Sequence, residues 1–216
     1  MPADFAPRMS QLLREMRRNM DGVTAEAMYN AGVRGVLNYG VSIPAIRTIA
    51  RSEPKDHEFA KYLYRQQVRE LRMAAVSVAC PECVTADELS FWLGGDPSTE
   101  LLDELAMQLI GRTSPEVLES VLSEWLERGD SAARYTAMMS LARAREYNKE
   151  RALTAAAAAV GELPDDMRLA HGAVMLAAAI AAADDSMVPR IRDIAVRLSD
   201  SGPAGRHFAE ETEWMI

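Results

Sequence analysis

Apolar residues recur three and four positions apart along almost the whole chain, and runs of alternating β-branched residues are scarce, so the pattern predicts helices and requires no strand. Breakers interrupt it at short intervals: Asp21-Gly22, Gly40 to Pro44, Ser52 to Asp56, Cys80-Pro81, Gly94 to Ser98, Gly111 to Pro115, Gly129-Asp130, Gly161 to Asp166, Asp184 to Ser186 and Ser199 to Pro203. The stretches between them fit helices of roughly 10 to 18 residues. Several carry start signals. Ser114-Pro115-Glu116 offers a capping side chain, a proline in the first turn and an acid where the helix dipole favours one. Thr85-Ala86-Asp87-Glu88 has the spacing of a capping box, and Asp165-Asp166 and Asp184-Asp185 stand at two further helix starts.

Helices joined by short turns pack antiparallel on their neighbours, which builds either a bundle or a stacked superhelix. Internal similarity favours the superhelix. Residues Val68 to Val76 and Ala133 to Leu141 each place an arginine near a helix start with small residues inside, and Met167 to Val174 repeats the scheme. The steps from Arg72 to Arg134 and from Arg134 to Arg168 are 62 and 34 residues, compatible with HEAT-like helical pairs of about 40 residues and one skipped unit. The methionines, among them Met16, Met20, Met73, Met138 and Met139, suit core filling.

Composition narrows the class further. With 216 residues, 49% hydrophobic and 26% charged, the chain has the make-up of a globular protein, which excludes disordered, collagen-like and disulfide-scaffold classes. The net charge of −8 argues against nucleic-acid binding through overall charge. Its distribution weakens that objection, because residues 1 to 75 hold 12 basic and 8 acidic groups whereas residues 76 to 216 hold 12 and 24. Nearly all the cations are arginine, the side chain suited to bidentate phosphate contacts. Met1 to Arg18 lacks the apolar core of a signal peptide. The longest uncharged apolar stretch, Leu169 to Ala183, has 15 residues where a bilayer needs about 20. The only cysteines, Cys80 and Cys83, fit a reduced, cytoplasmic location.

The segment Asn38-Tyr39-Gly40-Val41-Ser42-Ile43-Pro44-Ala45-Ile46-Arg47-Thr48-Ile49-Ala50 reads as a glycine-permitted turn, a capping serine, an early proline and an apolar helix face. It resembles the signature of the DNA alkylation repair family, the AlkD-like HEAT-repeat DNA glycosylases. Tyr64 to Ala79, with Arg69-Glu70-Leu71-Arg72 ahead of Ala74-Ala75, resembles the family's Arg-Glu segment, and Trp125 with Arg134-Tyr135-Thr136-Ala137 resembles a third block. Together these matches cover residues 25 to 145. The resemblance implies an all-α, right-handed α-α superhelix of HEAT-like helical repeats forming a single domain over residues 1–216. It further implies that alkylated DNA lies in a basic concave groove and that the N-glycosidic bond of a cationic purine is hydrolysed. A carboxylate then stabilises the positive charge developing on the deoxyribose, the demand that glycosidase carboxylates also meet.

The family's Trp-Asp-x-x-Asp-like block corresponds here to Glu100-Leu101-Leu102-Asp103-Glu104-Leu105-Ala106. Leu102 stands at the tryptophan, Asp103 at the first aspartate and Ala106 at the catalytic position. Asp103 is therefore the candidate catalytic residue, and weak or absent hydrolysis is expected. Trp92, Trp125 and Trp214 fall on none of the family's sugar-facing positions. The expected DNA contacts are Arg47, Arg51, Lys55, Arg69, Arg72 and Arg134, with Tyr135 where the family carries a DNA-binding arginine. The implied role is that of a DNA-binding relative of the alkylpurine DNA glycosylases, with double-stranded DNA as partner and no membrane. The alternative is a non-enzymatic HEAT-repeat scaffold with a protein ligand in its groove, favoured by the acidity beyond residue 75.

Other chemistry is thin. Cys80-Pro81-Glu82-Cys83 is a lone C-x-x-C, with only His57, His171 and His207 as further candidate ligands, so neither a metal site nor a cofactor is expected. His171 lies in an alanine-rich helix and is expected in the core.

Overall fold

Side-chain caps set several of the helix starts. Asp56, Ser98, Ser114, Asp130, Asn148 and Asp166 each accept a hydrogen bond from a backbone N–H in the first turn of their helix. Each such cap contributes about 1 kcal/mol by satisfying an otherwise orphaned donor. The computed structural model describes residues 4–30, 33, 35–95 and 97–215. Along them run α1 (Ala6–Arg18), α2 (Gly22–Asn30), α3 (Ile43–Ala50), α4 (His57–Tyr64), α5 (Arg69–Val78), α6 (Leu89–Leu93) and α7 (Thr99–Glu104). Then come α8 (Pro115–Ser120), α9 (Ser131–Arg143), α10 (Lys149–Glu162), α11 (Met167–Ala183), α12 (Val188–Leu198) and α13 (Gly202–Met215). No strand occurs among the described residues; the sole β-type pairing there is an isolated bridge between Leu37 and Val68.

Two helices depart from regular spacing. α7 runs on into a wider π turn at Leu105–Leu109, and α8 does the same at Val121–Leu126. A π turn inserts a residue into the helical cycle and so rotates the buried face of the residues beyond it. The capping box expected at Thr85 is absent: Thr85 is extended, its side chain makes no capping bond, and Ala86–Glu88 forms a single 3-10 turn.

The chain gathers into two compact units, one of residues 1–83 with 94–109 and the other of residues 84–93 with 110–216. In the first, α5 is the central element and packs against α3, α4, α7 and the Leu105–Leu109 turn. Nine of its ten residues are buried, including Arg69, Glu70 and Arg72. In the second, α9, α11 and α13 pack in succession, while α10 and α12 pack on each other and on α11 and α13. Close approach between α9 and α11 relies on Gly172, where a Cβ would lie 3.1 Å from the Tyr135 ring and 3.2 Å from Met138 Sδ. Met16, Met73, Met138 and Met139 fill cores as expected, whereas Met20 is exposed. His171 is exposed on α11 rather than in the core, because an alanine-rich helix presents little hydropathy contrast between its faces.

Candidate functional site

The segment 38–50 and the Arg-Glu segment, separate in sequence, form one clamp. Gly40, at φ +71°, turns the chain so that its backbone passes Asp21 at a distance no Cβ would allow. Glu70, fully buried, turns one carboxylate oxygen to this loop and accepts hydrogen bonds from the Tyr39 and Val41 N–H groups at 3.1 and 3.3 Å. The same Oε1 accepts from Arg69 Nη1 at 3.0 Å, and Nη1 also donates to the Val41 carbonyl at 2.9 Å. The other face of the Arg69 guanidinium makes a two-pronged pair with Glu100, at 2.8 and 2.5 Å. Burial works against the Arg69 charge, but the hydrogen bonds and charges of Glu100 and Glu70 outweigh it and raise its pKa above the ordinary value.

Two further arginines are held in the same unit. Arg47 on α3 pairs through Nε and Nη2 with Glu104, which is itself buried. Those bonds raise the Arg47 pKa, against a smaller opposing effect of burial. Arg72 donates to the Gly94 and Gly95 carbonyls at 2.8 and 3.2 Å and lies over the Tyr64 ring, 4.7 Å from its centre. Lys55 donates to the Ser77 and Ala79 carbonyls at the end of α5. Arg51, at the end of α3, is exposed, and its side chain makes no hydrogen bond or ion pair with a described residue.

The block proposed to carry the chemistry lies on α7 and its π turn. Leu102 and Ala106 are both fully buried. Position 106 therefore faces the interior and not a ligand. Glu100 and Glu104 face Arg69 and Arg47, while Asp103 is half-buried on another side of the helix. In the second unit Arg134 pairs with Glu162 at 2.7 Å, and Tyr135 is buried against α11. Arg134 and Arg151 share a cavity of about 460 Å³ with Glu127, Glu150 and Glu162, so carboxylates outnumber cations there. Trp92 and Trp125 are core residues, and Trp214 is 89% exposed near the end of α13.

The candidate residues are thus divided between the two units. Arg47, Arg69, Arg72 and Asp103 belong to the first unit with Arg51, and Arg134 and Tyr135 to the second. Sequence reasoning missed the carboxylates that complete the clamp: Glu70, Glu100 and Glu104. The signal was the i, i+4 spacing of Glu100 and Glu104 on one short helix beside an excess of arginine. No cluster of three or more metal-ligating side chains occurs among the described residues. Cys80 and Cys83 are free thiols, and no described helix is long and apolar enough to cross a membrane.

A sequence model of the family described as DNA alkylation repair enzyme matches residues 12–186. No curated protein sequence matches the chain. Among solved structures, the chain is similar to a protein described as from a new family related to the HEAT-like repeat DNA glycosylases with affinity for branched DNA structures. The TM-score is 0.73 at 16% identity, over 98% of this chain and 95% of that one. At that identity the likeness establishes the HEAT-like helical-repeat fold.

Proposed function

Because the chain belongs to the DNA alkylation repair enzyme family, we propose that it binds DNA, with a preference for branched over linear duplex, and has weak or no base-excision activity. The observation that carries the second half is the buried Ala106 at the position corresponding to the family's catalytic carboxylate. A glycosylase of this kind needs an anion close to the sugar as its positive charge develops. The neighbouring Glu100 and Glu104 are committed to Arg69 and Arg47, and Asp103, the candidate from the sequence, is the carboxylate to be tested in that role. The preference for branched DNA draws support from the affinity stated for the structurally similar protein.

The test pairs two measurements. Release of methylated purines from alkylated duplex is followed with time, and binding to a four-way junction and a linear duplex of equal length is titrated across salt. The expected result is little or no release above background with tighter, salt-dependent binding to the junction. Efficient release that Asp103→Asn abolishes would overturn the non-catalytic half, and equal failure to bind either DNA would overturn the other. A scaffold for a protein ligand is favoured by the second unit, which carries 12 basic against 19 acidic groups. Under that reading no DNA is bound at any salt concentration.

A further inference from the structure

Within the acidic second unit, three cations converge where carboxylates are scarce. Arg112, Arg143 and Arg145 line one cavity of about 380 Å³, with Thr113 and Leu118 in its wall. Arg112 closes the 3-10 turn ahead of α8, Arg143 is the last residue of α9, and Arg145 lies in the bend that leads to α10. All three are exposed. The guanidinium groups of Arg143 and Arg145 make no hydrogen bond or ion pair with a described residue, in contrast to those of Arg134 and Arg151 of the same unit. The cavity contains one carboxylate, Glu146, which is exposed and pairs with neither of them. Its lining therefore carries a formal charge of +2.

The three arginine side chains line one cleft, and Arg112 also has an interaction of its own. Guanidinium is the cation whose planar donors match phosphate oxygens in pairs, and a cleft lined by one sign of charge concentrates the opposite ion. The volume is near the lower end of ligand-sized clefts, roughly 300 Å³ upward, which suits a phosphate and its sugar.

We propose that this cavity is a phosphate site that takes a backbone phosphate of a DNA strand. The proposal rests on the DNA-binding reading above for the source of the phosphate.

The experiment compares the full chain with an Arg143→Ala, Arg145→Ala double variant and, as control, Arg206→Ala on the exposed side of α13. Arg143→Lys with Arg145→Lys retains charge without the paired donors. Far-UV dichroism and melting establish that each variant folds. First, arginine Nε–Hε NMR signals are titrated with inorganic phosphate and with a 5′-phosphorylated thymidine dinucleotide at constant ionic strength. A saturable shift with the dinucleotide, stronger than with inorganic phosphate, lost in the double alanine variant and kept in the control, is expected. Second, four-way-junction binding is titrated across salt. Each lost phosphate contact flattens the salt slope by about 0.9, which is about fivefold in affinity at ~0.15 M salt. The lysine variant is expected to keep the slope and lose affinity.

If the double alanine variant binds the junction like the natural chain, the cavity assignment is overturned while the DNA-binding reading stands. If no DNA binds and inorganic phosphate saturates as well as the dinucleotide, the DNA reading falls and the strand assignment falls with it. No saturable response to either small probe overturns the site itself.

Discussion

Replacing Glu70 with alanine would remove the acceptor on which the 38–50 loop closes. Its Oε1 receives the Tyr39 and Val41 N–H groups and Arg69 Nη1, all within 3.3 Å, and the residue is 0% exposed. Two backbone donors left buried without an acceptor cost about 1–3 kcal/mol each. Breaking a buried ion pair costs about 3–5 kcal/mol when the remaining charge is stranded. Arg69 retains Glu100 and the Val41 carbonyl, so the ion-pair loss falls below that range. These contributions overlap, and a total of about 4 kcal/mol is expected, a large share of the roughly 5–15 kcal/mol that holds a domain together. Glutamine keeps an acceptor at the Oε1 position but places amide hydrogens where Oε2 has no partner, so its loss lies between zero and that of alanine. Removing an exposed pair, as in Arg18→Ala beside Glu15, should cost no more than about 1 kcal/mol. Urea unfolding followed by far-UV dichroism gives the stabilities, and amide exchange at Tyr39 and Val41 reports the loop directly. A loss under about 1 kcal/mol for Glu70→Ala, or unchanged exchange at those two amides, would refute the clamp.

The same geometry sets four further outcomes. Ala106→Asp should destabilise the chain by roughly 3 kcal/mol or more without restoring base release, since it buries a carboxyl group at a fully enclosed position; unfolding and release assays check both parts. Gly40→Ala should cost more than about 2 kcal/mol, because a left-handed backbone conformation is combined with a Cβ 2.1 Å from the Asp21 carbonyl oxygen, and a melting curve shows it. Burial pushes the Asp56 carboxyl up, but hydrogen bonds from the Phe59 N–H and Arg8, with the charge of Arg8, hold it below the usual carboxylate value. Stability from a depressed carboxyl is present above the unfolded pKa and is lost as pH falls through the folded one. The advantage of the natural chain over Asp56→Asn, which keeps a capping oxygen, should therefore shrink between about pH 4 and pH 2 in urea titrations. Burial, with Cys83 and Glu82 nearby, pushes the Cys80 thiol up, so iodoacetamide should modify Cys80 more slowly than the exposed Cys83 at mildly alkaline pH, as peptide mass spectrometry will show.

Helices and their starts were legible where a single residue decides them. Ser114, Asp166 and Asp184 cap as their side chains dictate, and the breaker at Gly129-Asp130 falls between helices, whereas the one at Gly161 to Asp166 begins inside the last turn of α10. The π turns at Leu105–Leu109 and Val121–Leu126 were not legible, because leucine-rich stretches satisfy several periodicities at once. The placement of the arginines was hidden for a different reason. Arg69 meets Glu100 across 31 residues and Arg47 meets Glu104 across 57, and a one-dimensional charge count cannot tell a paired cation from one facing solvent. The excess of basic groups in residues 1 to 75 consequently does not carry over to the folded unit. Once residues 94–109 join it, the first unit holds 12 basic and 13 acidic groups.

The fastening of Arg47, Arg69 and Arg72 to residues 94–104 also governs where the polypeptide can be divided. A fragment ending at Cys83 would keep all three arginines and lose Glu100, Glu104 and the Gly94-Gly95 carbonyls that receive them. Two guanidinium groups, Arg69 and Arg72, would then lie in a core with much of their compensation gone. Deleting the excursion at 84–93 and splicing residue 83 to residue 94 would instead keep every one of those partners on a single continuous piece. The first half of this molecule is therefore heritable as a unit only together with a stretch of sequence that begins after its apparent end.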